Sequence, residues 1–262
     1  MRFNEVKSLL RRGEFVLGTL VFEFKTSGVG VIASNAGADF VLFDTEHTGW
    51  SWETIGAVIA GMRATRAVPL VRIPVTNRSY ISRPLDLGAM GLMVPMVESV
   101  DQAEGIVRWA KYPPVGVRGA AFGVAHDDYT GENNLATMKS SNDEILLIGQ
   151  IETVEGVKNV DAIAQVEGLD VLWVGHFDLT NSMGIPGQFD HPDYLAALEQ
   201  VANAAKHNGK SAGFMVSSVE EAGRMIERGY RCLGYSGDLW IYERALREGI
   251  GKVRAELVKG RR

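Results

Sequence analysis

The sequence contains a single cysteine, Cys232, and no long apolar run. One cysteine excludes a disulfide within the chain and fits a reducing compartment, where thiols stay free. A membrane-spanning helix needs ~20 consecutive apolar residues, and no run in the sequence approaches that length. The stretch MRFNEVK at the start lacks the apolar core of a signal peptide. These absences predict a cytoplasmic protein with no membrane partner.

The sequence also has no excess of basic residues over acidic ones. The 262 residues carry 27 Lys and Arg against 32 Asp and Glu, which gives a net charge of −5. Nucleic-acid-binding surfaces are typically basic, so this balance argues against a nucleic-acid partner. The hydrophobic fraction of 46% and the charged fraction of 23% are ordinary for a globular protein.

Apolar, mostly branched runs alternate along the chain with segments of helical pattern. A continuous apolar run predicts a strand that is buried on both faces, as in a parallel sheet. Eight strands are predicted, at 15–22, 40–44, 68–73, 91–95, 169–175, 210–216 and 230–235 and in the run that begins at Ile145. This alternation predicts a (β/α)8 barrel, and no linker divides residues 1–262 into domains. An open doubly wound sheet is the alternative, but no GxGxxG motif follows the first strand.

One long segment interrupts the alternation. Residues 111–141 have no clear periodicity and are rich in Pro, Gly, Asn and Asp. An irregular segment of this length in a compact domain is usually functional. His126, Asp127 and Asp128 lie within it and could form a metal cluster, but a solvated loop tip is the favoured interpretation.

Two acidic residues follow the fifth and the sixth predicted strands. Glu152 comes after the run that begins at Ile145, and Asp178 comes after the next run. Catalytic residues of such barrels lie at the C-terminal ends of the strands, so both carboxylates are expected at one end. Two carboxylates, together with water and substrate oxygens, suit an octahedral Mg²⁺ or Mn²⁺ ion. The alternative is that each carboxylate caps the helix that follows it.

A histidine and an arginine are expected at the same end of the barrel. His47 follows the second strand, and Asp44 precedes it by three residues. A carboxylate near an imidazole can fix its tautomer for general base catalysis, although a loop histidine bonded to backbone is the alternative. Arg72 ends the third strand, where it would meet either an anionic substrate or a neighbouring acid such as Asp44 or Glu46.

Three other polar residues need separate interpretations. Gln150 can share the face of Glu152, because strand alternation turns Ile151 to the opposite face. Asp86 lies on a helix and by itself would be a surface or capping acid. His176 directly precedes the segment that carries Asp178, and it could line the site.

Six motifs occur in order and together resemble the HpcH/HpaI aldolase family of metal-dependent (class II) pyruvate aldolases. They are DTEH at 44–47, VRIP at 71–74, GLMVPMV at 91–97, YPPVGVRG at 112–119, QIET at 150–153 and GHFDL at 175–179. The resemblance extends over residues 15–247. It implies a (β/α)8 barrel whose last helix is swapped onto a neighbouring subunit, in a homo-oligomer that is usually a hexamer built as a trimer of dimers.

The resemblance also implies roles for the residues at the strand ends. Glu152 and Asp178 would hold a divalent ion, Mg²⁺ or Mn²⁺, with Co²⁺ as a further candidate. Arg72 would contact the keto oxygen and stabilise the enolate. His47, paired with Asp44, would be the catalytic acid and base.

Further roles concern the pyruvate moiety and the pocket wall. Gln150 and the backbone near Gly175 and Phe177 would bind pyruvate, and Asp86 matches a family acid near the active site. Many relatives carry Gly-Pro-x-Asp-Leu, whereas this chain has Gly-His-Phe-Asp-Leu at 175–179. The exchange of proline for His176, with Phe177 beside it, is expected to alter the pocket wall.

The expected reaction is the reversible aldol cleavage of a 4-hydroxy-2-oxo acid into pyruvate and an aldehyde. A Schiff-base aldolase would need a lysine at the barrel mouth, and no predicted strand ends in lysine. A decarboxylase or acyl-CoA lyase with the same metal enolate is one alternative. A barrel that binds a small 2-oxo acid without catalysis is another.

Overall fold

Eight parallel β-strands form a closed barrel in the computed structural model, which describes residues 2–131 and 133–259. Consecutive strands are neighbours all the way round, and the eighth pairs with the first. The strands are β1 Val16–Val21, β2 Phe40–Asp44, β3 Val68–Arg72, β4 Gly91–Val94, β5 Leu146–Ile151, β6 Val171–Val174, β7 Ser211–Val216 and β8 Tyr230–Gly237. The predicted (β/α)8 barrel is confirmed, because every apolar run forms the strand that it predicted.

Helices surround the barrel. Within the described residues they are α1 Glu5–Arg11, α2 Val29–Asn35, α3 Trp52–Gly61, α4 Arg78–Asp86, α5 Val100–Ala110, α6 Asn134–Glu144, α7 Val154–Lys158, α8 Val160–Ala164, α9 His176–Ser182, α10 Pro192–His207, α11 Val219–Glu227 and α12 Asp238–Lys259. Several begin at a side-chain cap, such as Ser99, whose hydroxyl accepts from the backbone N–H of Gln102. No helix in this part of the chain is long and apolar enough to cross a membrane.

The buried side chains form two layers, one inside the barrel and one between the strands and the helices. Trp173 fills the interior, and it leaves no space for a side chain at Gly213, where a Cβ atom would overlap the indole ring. Cys232 belongs to the same interior layer, where burial raises the pKa of its thiol. The barrel is therefore a packed core rather than a channel.

Helix α1 closes the N-terminal end of the barrel. The Nζ atom of Lys7 donates to the carbonyl of Ile145 at 2.6 Å and pairs with Asp170 at 2.9 Å. Lys111, at the end of α5, also donates to Ile145, at 3.0 Å. Burial, with the neighbouring Lys7 adding to it, lowers the pKa of Lys111 to about 7. Because these contacts seal this end, the open face is the one at the strand C-termini.

The irregular segment 111–141 contains more structure than its sequence predicted. Helix α6 takes up its last part, residues 134–141, and is capped by Asn133, whose side chain accepts from the N–H of Ala136. Its sequence carries no apolar stripe, and Ser141 is its one buried residue in the described chain, so periodicity could not reveal it. The predicted solvated loop tip is wrong for His126 and Asp127, which are both buried in a 3₁₀ turn.

Candidate active site

The carboxylate of Glu152 directly follows β5 and is almost entirely buried, with 2% of the residue exposed. One oxygen accepts from the backbone N–H of Met96 at 2.8 Å, and the other accepts from the side-chain amide of Gln150. Gln150 and Glu152 thus share one face, as strand alternation predicted. The Oε1 atom of Gln150 is buried and has no hydrogen-bond partner within the described residues. A free acceptor therefore lies next to a buried acid.

Met96 follows β4 and has an unusual backbone conformation. Its φ angle of 55° lies in the left-handed region, which non-glycine residues rarely adopt. This conformation aims the Met96 N–H at Glu152. Local strain of this kind is found mostly where surrounding structure enforces it for function. Met96 is a contributor that the sequence did not predict, because its contact is made by the backbone.

Three carboxylates influence one another at this end of the barrel. Burial raises the pKa of Glu152 to about 7; the hydrogen bond from Met96 opposes the rise, and the charges of Glu46 and Asp178 add to it. Burial also raises the pKa of Glu46, against the opposing effect of Arg72. Like-charged acids in a poorly solvated place favour either protonation or a bound cation. Glu46 is a member of this group that the sequence suggested only as a partner of Arg72.

Arg72 ends β3 and is held by two acids. Its Nε atom donates to Asp44 at 2.6 Å, and its Nη1 atom lies 3.2 Å from Glu46. The ring of Phe22 lies 5.8 Å from the guanidinium. The predicted alternative of an ion pair with a neighbouring acid is therefore present, with both candidates at once. A guanidinium fixed in this way is oriented before any substrate arrives.

The predicted pairing of Asp44 with the His47 imidazole is wrong. The Asp44 carboxylate accepts from the backbone N–H of His47 at 2.9 Å and from that of Glu46 at 3.2 Å. It thereby holds the turn after β2, because a carboxylate naturally reaches the N–H groups two and three residues on. The acid nearest the ring is Glu46, 3.6 Å from Nε2 of His47. The His47 side chain itself is 58% exposed, as a group that exchanges protons with a ligand can be.

Asp86 lies away from this group in the described chain. It is the last residue of α4, and its carboxylate pairs with the buried Arg118 at 2.6 Å. A helix that connects two parallel strands runs antiparallel to them, so α4 ends near the strand N-termini. Within its own subunit Asp86 is therefore expected at the end of the barrel opposite to the strand C-termini, and its catalytic role stays a prediction. The motif match could not show at which end of the barrel helix α4 ends.

Residues 175–178 form the remaining wall of the site. Gly175 must lack a side chain, because a Cβ atom there would overlap the carboxylate of Glu152. His176 packs against Phe177, Phe214 and Phe189, with ring centroids at 4.7, 5.2 and 5.4 Å. Asp178 stands in the first turn of α9 and is exposed. The charge of Asp178 acts on both Glu152 and Glu46 and contributes to the raised pKa of each, so the two predicted metal ligands lie within electrostatic range of each other.

Comparison with known proteins identifies the family of this chain. The family described as HpcH/HpaI aldolase/citrate lyase matches residues 29–242. The chain belongs to this family. The hydroxypyruvate/pyruvate aldolase of Pseudomonas aeruginosa is 34% identical over 95% of the chain and 92% of its own length. The 2-keto-3-deoxy-L-rhamnonate aldolase of Klebsiella pneumoniae is 34% identical over 93% of the chain and 90% of its own length.

A solved structure agrees with the barrel as well. The crystal structure of an HpcH/HpaI aldolase from Desulfitobacterium hafniense has a TM-score of 0.91 at 32% identity and covers 97% of both chains. The protein is therefore an enzyme, a carbon–carbon lyase of the aldolase type. HpcH/HpaI aldolases generally depend on a divalent metal ion.

The residues fit such an ion as a two-carboxylate site. No set of three or more His, Cys, Asp or Glu side chains in residues 2–131 and 133–259 is arranged to hold a metal. The buried Glu152 carboxylate, the Gln150 Oε1 atom without a partner in the described residues, and the exposed Asp178 carboxylate nevertheless provide hard oxygen donors at this end of the barrel. Mg²⁺ and Mn²⁺ commonly use one or two carboxylates and complete their shells with water and substrate.

Proposed function

We propose that this aldolase cleaves 4-hydroxy-2-oxo acids reversibly into pyruvate and an aldehyde, with Glu152 and Asp178 holding a divalent ion. The observation that carries the proposal is the buried Glu152 carboxylate, which lies in the field of Glu46 and Asp178. Arg72 ends β3 at the same end of the barrel. A cation site beside a fixed guanidinium suits a 2-oxo acid, which is an anion and passes through a more strongly charged enolate.

The metal preference follows from the ligands. Carboxylate oxygens favour Mg²⁺ or Mn²⁺, and Co²⁺ is a further candidate. When bound, the ion supplies Lewis-acid polarisation of the keto group and a fixed point for the substrate carboxylate. Gln150 would contact the 2-oxo acid through a water molecule, because its Oε1 atom, which has no partner in the described residues, can only accept and the carboxylate and keto oxygens of the substrate also accept.

Side chains of the protein accept the proton of the C4 hydroxyl and stabilise the negative charge of the enolate. The C4 hydroxyl loses its proton to Nε2 of His47, and the electron pair of the C3–C4 bond becomes part of the enolate as the aldehyde leaves. Glu46, 3.6 Å from Nε2, stabilises the imidazolium that forms. Arg72 stabilises the negative charge on the keto oxygen, and return of the proton to C3 gives pyruvate. Asp44 is a positioning residue, because it touches Arg72 and the His47 backbone.

Manganese binding tests the metal ligands without relying on turnover. Glu152→Gln keeps the shape of the side chain but removes its charge, and Glu104→Gln makes the same change at an exposed position of α5. We expect Glu152→Gln to weaken Mn²⁺ binding in calorimetry or electron paramagnetic resonance by about 100-fold, whereas Glu104→Gln binds as the wild type does. Equal Mn²⁺ affinity in both variants would refute the assignment.

Turnover distinguishes the reaction from its alternatives. EDTA should abolish aldehyde-dependent consumption of pyruvate, and Mn²⁺ or Mg²⁺ should restore it. Borohydride added with substrate should leave the protein unmodified, since no lysine adduct forms. Loss of pyruvate as carbon dioxide without any need for an aldehyde would favour a decarboxylase instead.

The enzyme is proposed to act as a homo-oligomer, a hexamer built as a trimer of dimers, in which α12 packs on a neighbouring subunit. Helix α12 exposes an apolar stripe at helical spacing, made of Tyr242, Leu246, Ile250, Val253 and Leu257. An apolar groove of about 590 Å³ lies between β1, α2 and the start of α12, and Ile32 on its wall is exposed. Patches of this kind typically mark contacts between subunits.

Light scattering in solution tests the assembly. Leu246→Glu and Ile250→Glu place a charge in the α12 stripe and should yield smaller species, because burying an unpaired carboxylate at an interface is unfavourable. Leu135→Glu changes an exposed leucine on α6 and should keep the wild-type mass. A monomeric wild type would contradict the proposed assembly.

A further inference from the structure

A cavity of about 690 Å³ opens at the C-terminal end of the barrel, beside the site described above. Its wall is built from the ends of β7 and β8, the first turn of α9, and parts of α10, α11 and α12. Pockets that hold a small organic ligand usually have volumes of about 300 to 1,000 Å³. Pyruvate alone would leave most of this space empty, so the cavity is large enough for a second fragment of substrate.

Two connections join the cavity to the catalytic groups. Phe177 lines the cavity and directly precedes Asp178 in the first turn of α9. On the other side, Trp240 lines the cavity and packs on Phe22, with ring centroids at 5.0 Å. The same Phe22 ring lies 5.8 Å from the guanidinium of Arg72. A ligand held between Arg72 and Asp178 would therefore have the cavity as its continuation.

Aromatic rings dominate the wall nearest to the metal ligands. His176 packs on Phe214 at 5.2 Å, and Phe177 packs edge-on against Phe189 at 5.1 Å. Phe189 continues the row to Tyr194 at 5.8 Å. Yet Phe177 remains 59% exposed, because one side of its ring faces open space. Rings in this arrangement can accept a further aromatic group by stacking or by an edge contact.

The charged residues at the rim do not select for an ionic ligand. They carry both signs and are Asp190, Glu221, Arg224, Arg228 and Arg244. Arg228 pairs with Glu199 at 3.4 Å, and Arg244 donates to the hydroxyl of Tyr235 at 2.7 Å. Glu221 accepts from the backbone N–H of Ser217 at 2.7 Å. Arg228, Arg244 and Glu221 already have partners in the protein, and the two signs at the rim favour no single ionic ligand, so we take the aromatic surface as the feature that serves recognition.

Ser236 adds a sign that the cavity is a functional part of the molecule. It lies near the end of β8, lines the cavity, and has a φ angle of 52° in the left-handed region. A non-glycine residue is rarely held in this region, and such residues cluster at ligand-binding sites. Together with Met96, it places backbone strain on both sides of the catalytic groups.

We propose that this cavity is the acceptor subsite of the aldolase and takes an aldehyde that carries an aryl group. The proposal rests on the function proposed above, because it assumes that the 2-oxo acid half is held at Arg72 and the carboxylates. C3 of the pyruvate enolate forms the new bond to the carbonyl carbon of the aldehyde. The carbonyl π pair moves to oxygen, which takes up a proton, while the aryl group lies against Phe177 and His176. These two residues therefore determine specificity for the aldehyde.

Two aldehydes of different size test the subsite with the manganese-loaded enzyme and pyruvate. We expect benzaldehyde to have a KM at least about tenfold below that of acetaldehyde, because its ring is buried on binding. Leu195→Trp adds bulk to the cavity wall on α10 and should lower the benzaldehyde-to-acetaldehyde ratio of kcat/KM by about tenfold or more. Leu135→Trp makes the same change on exposed α6 and should leave the ratio at its wild-type value.

The outcomes separate this proposal from the proposed function. A ratio that falls in Leu195→Trp and is unchanged in Leu135→Trp supports the aryl subsite, and a parallel fall in Phe177→Ala strengthens it. If acetaldehyde is consumed normally but Leu195→Trp leaves the ratio unchanged, the subsite is refuted while the aldolase function stands. If phenylpyruvate is accepted in place of pyruvate and the same variant abolishes its use, the cavity serves the other substrate. If the loaded enzyme consumes no aldehyde at all, both proposals fall.

Discussion

Replacement of Asp44 by asparagine tests whether this buried acid organises the catalytic groups. Asp44 is fully buried and accepts from three donors: Arg72 Nε at 2.6 Å, and the backbone N–H groups of His47 at 2.9 Å and Glu46 at 3.2 Å. An asparagine of nearly the same shape keeps one acceptor oxygen and presents an amide donor to the other side. At least one of the three donors must then lose its partner.

The size of the effect follows from these contacts. A hydrogen bond to a charged group contributes about 1.5 to 3 kcal/mol, and breaking a buried ion pair by removing one partner costs about 3 to 5 kcal/mol. Glu46 still lies 3.2 Å from Arg72 and compensates for part of the lost charge. We therefore expect the free energy of unfolding to fall by about 3 kcal/mol. Because Arg72 and the turn that carries His47 both lose their position, kcat should fall by about 100-fold.

The measurement combines urea unfolding with steady-state kinetics on the manganese-loaded enzyme. Asp161→Asn is the matched control, since Asp161 is exposed in the first turn of α8 and its replacement should change stability by less than about 0.5 kcal/mol. If Asp44→Asn lowers stability but leaves kcat unchanged, Asp44 is structural and does not position the catalytic residues. If neither quantity changes, the contacts described for Asp44 do not contribute to the native state in solution.

Three further predictions concern Glu152 and its surroundings. The pKa of Glu152 is raised from 4.5 to about 7, so the protonated carboxyl group stabilises the metal-free protein, and this stabilisation should be lost as the pH rises through that range. A proton then competes with the metal, and in calorimetry the Mn²⁺ dissociation constant should rise about tenfold for each pH unit below about 7. Glu152→Gln should abolish this pH dependence. Met96→Gly, which tolerates the φ angle of 55°, should raise the free energy of unfolding by up to ~1 kcal/mol and keep Mn²⁺ binding, whereas Met96→Pro removes the N–H, cannot adopt this φ angle, and should abolish Mn²⁺ binding. Gly175→Ala should lower kcat by at least about tenfold because its Cβ would overlap Glu152, while Gly223→Ala, in open space on α11, should stabilise the protein slightly and keep full activity.

The strands were predictable because a strand that is buried on both faces has a continuous apolar sequence. Strand β2, Phe40–Asp44, has the predicted bounds, and all of its residues are buried. A helix shows apolar residues at helical spacing only where one of its faces is buried. Helix α6 has a polar sequence and almost no buried side chain, so it was missed. Helix α9 begins directly after Gly175, without a loop that could mark its start.

The site was predictable only as far as strand ends and alternation determine it. Glu152 and Gln150 share a face because the side-chain period of a strand is two. The three-residue spacing between Asp44 and His47 could not show whether the carboxylate meets the imidazole or the backbone, and it meets the backbone. The left-handed conformation of Met96 follows from no local pattern, because methionine has no preference for it.

Three costly features of this barrel support a single carboxylate, that of Glu152. Met96 donates to it from a strained conformation, Gly175 has no side chain that would overlap it, and the Oε1 atom of Gln150 beside it has no partner in the part of the chain that the structure describes. Burial already disfavours the charged form of Glu152, and two neighbouring acids add to that cost. An acid that only capped a helix would need none of these arrangements, since exposed carboxylates cap helices readily. The combination is understandable if the carboxylate must stay in one place to meet a cation.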